Sequence, residues 1–336
     1  MASFQQFQHT QFKSSNNQAM RDRLFDELED YSIKLGKLLD SSDENPEGYG
    51  RLRWIRARSP RIQKSLRIHD ENMEERLPGS GQWFLDSTEY RDWVSTPGST
   101  LFAPGIPGSG KSTMTSIVLN DLRQSLEPGA RLGWFWFAPG QWGEGEDRHA
   151  LHAVIADLAL LLCSEYTDAG NRLPPSVVQL LKDMMEPRLR TATMADLSHI
   201  LKTLGAPTNR VFLLFDAVEA ATEDVRGSLM PQLQDLQESL GLNIFVTALL
   251  GTGIDELFPR SISLEIRASA EDVSKYMRRG VESDLRLRRL IHGAEHDDLR
   301  HEIIQATVEM SDGMSVKPLS FKISNTLDAI ASLGLG

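Results

Sequence analysis

Cysteine is almost absent: Cys163 is the one thiol in 336 residues. A single thiol excludes an internal disulfide, and this usage fits a reducing compartment. With Leu158 to Leu162 just before it, Cys163 reads as a small apolar core residue. Basic charge is also short. Lys and Arg number 36 against 47 Asp and Glu, for a formal net charge of -11. General nucleic-acid binding, which needs a basic footprint, is argued against. No apolar run approaches the roughly 20 residues of a membrane helix, and Met1 to Asn17 is polar, without the apolar stretch of a secretory leader. The expectation is a cytoplasmic protein with no membrane span and no nucleic-acid partner. Apolar residues make up 40% of the chain, enough for a substantial core, and the length suits two domains or one domain with extensions.

Residues 1–19 are rich in Gln, Ser and Asn and are expected to be disordered. Leu24, Leu28, Tyr31, Leu35 and Leu38 then repeat at steps of four and three, a short heptad stripe. A helix docked on its own protein is the first reading, and an association surface for another chain the second. Ser41 to Gly50 is a breaker-rich loop. Arg51, Arg53, Arg56, Arg58, Arg61, Lys64 and Arg67 follow as a basic stretch, with Asp70, Glu71, Glu74 and Glu75 directly after it. A solvated helix face paired with nearby acids explains this better than an acidic lipid or nucleic-acid partner.

The stretch Gly105-Ile106-Pro107-Gly108-Ser109-Gly110-Lys111-Ser112 fits the phosphate-binding spelling G-x-x-x-x-G-K-[ST], with Thr113 behind it. Glycines let the backbone turn tightly with its N–H groups pointing inward, toward phosphate oxygens. The following helix adds its positive dipole end. Lys111 would reach the β- and γ-phosphates, and the Ser112 hydroxyl would hold Mg²⁺. The context agrees: Ser99 to Ala103 reads as a short buried strand, and Met114, Ile117, Val118 and Leu122 predict a helix from about Ser112 to Leu126.

Further along, Leu132 to Phe137 reads as a second strand. Helices are predicted over Ala150–Cys163, from Leu173-Pro174-Pro175 to Met185, and over Ala195–Leu204. His149 and His152 are three apart, but no Cys or acidic pair nearby completes a metal set. Val211 to Asp216 is an apolar run ending in an acid. That suits a central parallel strand buried on both faces, with Asp216 at its tip beside the phosphate loop and holding Mg²⁺. Leu242–Thr247 and Ser261–Ile266 read as the remaining strands. Ser269 is a fitting N-cap for a helix through Tyr276.

RLPGSGQWFLDSTEYRDWV, followed by LFAPGIPGSGKSTMTSIVLNDL, resembles the nephrocystin 3-like N-terminal domain. This is a NACHT-type P-loop module common in fungal signalling NTPases of the STAND group. The run SLEIRASAEDVSKYM is similar to the same family. The resemblance implies a three-layer α/β P-loop NTPase with a mainly parallel five-stranded sheet, an N-terminal helical arm and a short helical C-terminal tail. Together with the sequence pattern, the expected division is a disordered 1–19, a helical arm and linker at 20–75, the NTPase domain at 76–267 and a helical tail at 268–336. The resemblance implies that Trp83 and Trp93 contact adenine, although by residue type alone both read as packing aromatics. Two positions depart from the family. Its Asp-Ala-Leu-Asp-Glu reads here Asp216-Ala217-Val218-Glu219-Ala220, so Glu219 stands at the second acidic position and Ala220 replaces the usual Glu. Thr247-Ala248-Leu249-Leu250 lacks the arginine that senses the γ-phosphate.

The function these residues and the resemblance together imply is Mg²⁺-dependent binding of ATP (or GTP) by a signalling or defence switch. Lys111 and Glu219 are the candidate catalytic residues, and hydrolysis is slow or absent. Association with related NTPases, as a homo- or hetero-oligomer through the Leu24–Leu38 helix, is implied as well. Two other readings stay open. One is an interaction protein, shortened relative to the family, that no longer uses nucleotide. The other is a metabolic phosphotransferase with Arg188 and Arg190 on a lid.

Overall fold

The computed structural model describes residues 60–127, 129–140, 147–185, 191–205, 210–283 and 305. The Leu24–Leu38 helix, Arg188, Arg190 and the tail beyond 283 lie outside the described residues. In chain order the elements are α1 (Pro60–Glu75), α2 (Gln82–Leu85), α3 (Thr88–Ser95), β1 (Thr100–Gly105), α4 (Lys111–Ser125), β2 (Arg131–Trp136), α5 (Asp147–Asp168), α6 (Pro175–Met185) and α7 (Met194–Thr203). Then come β3 (Val211–Asp216), α8 (Glu223–Leu240), β4 (Asn243–Leu249), β5 (Ile262–Ser263) and α9 (Ala270–Ser283). The strands form one parallel sheet in the order β2-β3-β4-β1-β5, flanked by helices as a three-layer α/β fold. Every residue of β1, β2 and β3 is buried. Strands covered on both faces need apolar side chains throughout, which is why they read as runs rather than alternations.

The register of β1 against β4 runs from Thr100 opposite Ile244 to Gly105 opposite Leu249. On its other edge β1 pairs only two residues of β5, Leu101 with Ile262 and Phe102 with Ser263. The strand expected over Ser261–Ile266 is therefore shorter than its sequence suggests. The extended path does continue, because the Leu264 N–H donates to the Phe102 carbonyl at 3.0 Å and the Ile266 N–H to the Pro104 carbonyl at 2.7 Å. A parallel ladder needs the return bond from residue 104, and a proline has no N–H to give.

By internal contacts the chain divides into two compact units. Among the described residues, the first comprises those within 60–67, 126–214 and 220–243. Its centre is α5, which packs against β2, α6, α7 and α8. The segment His149–Asp168 is long and apolar enough to cross a membrane, but 83% of its most apolar window is buried inside the protein. It is a core helix, longer at both ends than the Ala150–Cys163 expected. Gly133 lets it approach β2: a Cβ there would lie 2.9 Å from Leu213 Cδ2 and 3.2 Å from Leu158 Cδ2. Arg61 of α1 binds Asp157 of α5 through Nε at 2.8 Å and Nη2 at 3.2 Å. One partner of Arg61 is thus a buried acid distant in sequence. Cys163 is fully buried, and burial pushes its thiol up to about 12. That protonated state fits its reading as an inert core residue.

Among the described residues, the second unit comprises those within 68–125, 215–219 and 244–283, together with 305. Its aromatic core joins the segment before β1 to β4. Trp93 is fully buried, 5.8 Å from the Phe245 ring and 5.7 Å from Tyr90. Phe84 meets Phe245 edge-on at 6.2 Å. Trp93 therefore has no free face for adenine, and packing is its role.

His152 is 3% exposed. Its Nδ1 accepts from the Ala192 N–H at 2.6 Å, which puts the ring proton on Nε2 and takes this nitrogen out of metal binding. Burial, reinforced by Arg61 and His149 and opposed by Asp196, lowers its pKa from 6.5 to about 4. Between those values the unfolded chain binds the proton and the folded chain does not, so stability falls as pH drops from 6.5 toward 4. The slope from this group reaches at most about 1.4 kcal/mol per pH unit. Urea unfolding across that range should show a shallower loss for His152→Gln, which keeps an acceptor but cannot titrate. Parallel profiles for the two proteins would contradict the assignment.

Candidate functional site

The site is built at the carboxyl ends of β1, β3 and β4, within the second unit. β1 delivers the chain to Gly105, where a Cβ would collide with Ser109 Oγ and lie 2.7 Å from the Ile266 carbonyl oxygen. No larger residue fits there. Gly108 and Gly110 have φ of 77° and 92°, the left-handed region that glycine adopts without strain. The turn closes with the Ser109 N–H on the Ile106 carbonyl at 3.1 Å, and α4 starts with the Met114 N–H on the Gly110 carbonyl at 2.8 Å. Pro107 and Gly108 are exposed, while Ile106, Gly110, Ser112 and Thr113 are partly so. The helix end, with its unsatisfied N–H groups, thus opens to solvent.

Lys111 is 8% exposed and curls back over the loop. Its ammonium donates to the carbonyls of Gly105 and Ile106, both at 3.0 Å. Burial lowers its pKa, while the nearby Glu219 and Asp216 act to raise it.

Asp216, at the tip of β3, is 1% exposed. Three hydroxyls converge on it. Ser112 Oγ donates to Oδ2 at 2.5 Å. Thr247 Oγ1 donates to Oδ1 at 2.6 Å, and Thr115 Oγ1 lies 2.8 Å from the same oxygen. Thr247 Oγ1 in turn accepts from the Ala217 N–H at 3.0 Å. That bond helps hold Ala217 at a φ of 55°, a left-handed conformation costing a non-glycine residue about 1–2 kcal/mol. The turn carries the chain into the short 3₁₀ segment Val218–Ala220, where Glu219 sits half-buried. Burial raises the Glu219 pKa, partly offset by its own backbone and by Lys111.

Beside the loop lies a cleft. Asn72, Arg76, Trp83, Ser109, Gly110 and Thr113 line it. Ile266 and Ala268, from the passage between β5 and α9, and Val273 of α9 supply its apolar wall. Trp83 keeps partial exposure and meets Phe84 edge-on at 5.5 Å. Asp272 ties α9 to the turn before α2, accepting from the Gly81 N–H at 3.2 Å. Ser269 caps α9, accepting from the Asp272 N–H at 3.0 Å.

The structure therefore gathers Gly105 to Thr113, Asp216 and Glu219 in one place. Among the groups named from sequence, Trp83 reaches the cleft and Trp93 does not. Sequence reasoning missed Thr115, Thr247 and Asn72. Thr115 follows Lys111 by one helical turn and Thr247 follows the apolar run Ile244–Val246 within β4, which was the available signal for those two. Asn72 offered none.

This fold and loop define a P-loop NTPase-type domain. Residues 79–248 match the family described as Nephrocystin 3, N-terminal, and the chain belongs to that family. No curated protein matches the chain. Solved structures similar to it include a Walker-type ATPase of Pyrococcus abyssi, with a TM-score of 0.43 and 14% identity over 73% of this chain and 74% of that one. A DNA replication initiation factor is similar with a TM-score of 0.39 and 12% identity over 75% of this chain, and PCH-2 of C. elegans with 0.38 and 12% over 78%. The chain spans 62% and 60% of those two proteins' lengths.

Thr247→Val keeps the branched shape but removes both bonds of the hydroxyl. Asp216 Oδ1 then loses a donor and the Ala217 N–H its acceptor, for a stability loss of about 1–3 kcal/mol in urea unfolding. A change below about 0.5 kcal/mol would show that the network is not structural.

Proposed function

We propose that this chain binds a magnesium purine nucleotide, ATP ahead of GTP, and acts as a NACHT-type switch in which hydrolysis is slow. The observation that carries this reading is the meeting of Lys111, Ser112 and Asp216 at the open end of α4, beside an apolar-walled cleft. The loop N–H groups and the helix end favour a phosphate chain. Lys111, held on two carbonyls, has a third donor for phosphate oxygen. Ser112 Oγ and Asp216 Oδ2 are hard oxygen donors already side by side, a set that suits Mg²⁺. These two residues would hold the ion, and the bound ion would neutralise charge on the phosphates. Trp83 and the wall of Ile266, Ala268 and Val273 then suit the base and ribose. Residues 76–267 form the nucleotide-binding domain on this reading.

Glu219 is the candidate for orienting or deprotonating water. Its raised pKa suits a group that must take a proton. It stands alone in that work, since Ala220 carries no acid and Ala248 and Leu249 follow Thr247 where the family places its arginine. Losing one preorganised donor of this kind costs about 2.7–4 kcal/mol of transition-state stabilisation. Slow turnover follows, while binding does not depend on those groups.

Calorimetric titration with Mg²⁺ and ATP should show binding that Lys111→Ala weakens by about tenfold or more. Steady-state ATP turnover should be slow in the wild-type protein and lower still in Glu219→Gln. Absence of binding by folded protein would favour the nucleotide-independent interaction protein instead. Turnover at about 10 s⁻¹, ordinary for metabolic enzymes, would contradict the switch reading.

A further inference from the structure

The helix preceding the family-matched segment reaches into the phosphate loop. Asn72 of α1 lies outside residues 79–248 and is 8% exposed. Its Nδ2 donates to the Ser112 carbonyl at 3.2 Å and to Ser116 Oγ at 3.1 Å. Its Oδ1 accepts from Thr113 Oγ1 at 3.4 Å. Both ends of the carboxamide are thus spent on the opening turns of α4. Ser116 Oγ donates to the same Ser112 carbonyl at 3.0 Å, so an amide and a hydroxyl converge on one backbone oxygen. The residue they hold is the one whose hydroxyl touches Asp216.

We propose that Asn72 is a positioning residue for the metal side of the nucleotide site, holding the Ser112 backbone so that its hydroxyl stays aligned with Asp216. The inference rests on the nucleotide-binding reading above. The carbonyl at the first turn of a helix is ordinarily fixed only by its intrahelical bond. Here two side-chain donors restrain it further, and with it the rotation that aims Oγ. Partners that orient a metal ligand from behind are known to control metal affinity strongly.

The test uses the full chain with Asn72→Leu, which is similar in bulk but makes no hydrogen bond, and Ser116→Ala, which removes one of the two donors on the Ser112 carbonyl. Affinity for ATP is measured by calorimetry with Mg²⁺ and with chelator, beside the melting temperature without nucleotide. Asn72→Leu should weaken binding of ATP with Mg²⁺ by about tenfold but binding in chelator by less than about twofold, and Ser116→Ala should cost about threefold with Mg²⁺. An Asn72→Leu protein that binds ATP with Mg²⁺ as the wild type does would overturn the proposal. So would equal losses with and without Mg²⁺, which mark a general structural role. If Asn72→Leu does not fold, an unchanged Ser116→Ala affinity overturns it. A wild-type protein that binds no nucleotide refutes the underlying reading itself, which separates the two failures.

Discussion

A buried acid held by hydroxyls is the constraint on which the site depends. Asp216 takes contacts from Ser112 and Thr115 on α4 and from Thr247 on β4. A carboxyl group this deep, without donors, would cost several kcal/mol. With them it becomes a pin between the end of one strand, the tip of another and the helix after the phosphate loop. Each bond contributes only about 0.5–1.5 kcal/mol net. The larger effect is geometric, because α4 can start only where its serine and threonine meet that acid.

The parallel sheet explains why the pin lies where it does. Strands buried on both faces are apolar along most of their length, so polar groups gather near the ends where strands give way to loops. Gly105, Asp216 and Thr247 close or follow such runs. The register of β1 against β4 sets Ala103 opposite Thr247 and Gly105, where the loop starts, opposite Leu249, so the Thr247 hydroxyl lies two residues short of the loop. Ala217, turned to a positive φ immediately after the acid, swings the chain away and leaves Glu219 at the edge of the same space.

What could be read from sequence was what chemistry makes local. The glycines, lysine and serine of Gly105–Ser112 are constrained by one loop and one ligand, so their spacing is visible without a fold. Val211–Asp216 was legible because burial on both faces leaves a continuous apolar run. α5 was legible in type but not in extent, since a helix buried nearly all round loses the one-sided pattern that marks its ends. β5 was overestimated because Pro104, on the neighbouring strand, decides whether the ladder continues. Trp93 was ambiguous because an aromatic ring serves a base or a core equally well, and only Tyr90 and Phe245 around it decide. Thr115, Thr247 and Asn72 act through partners distant in sequence, so no spacing marks them.

The central claim is that phosphate and magnesium meet between the loop and Asp216. A crystal structure with Mg²⁺ and a non-hydrolysable ATP analogue tests it most directly. The account predicts the β-phosphate inside the Gly105–Lys111 turn, the ion on Ser112 Oγ with Asp216 in its coordination sphere or one water away, and the base in the cleft beside Trp83. An analogue bound elsewhere, or a loop that stays empty at saturating analogue with Lys111 still on the Gly105 and Ile106 carbonyls, would contradict it.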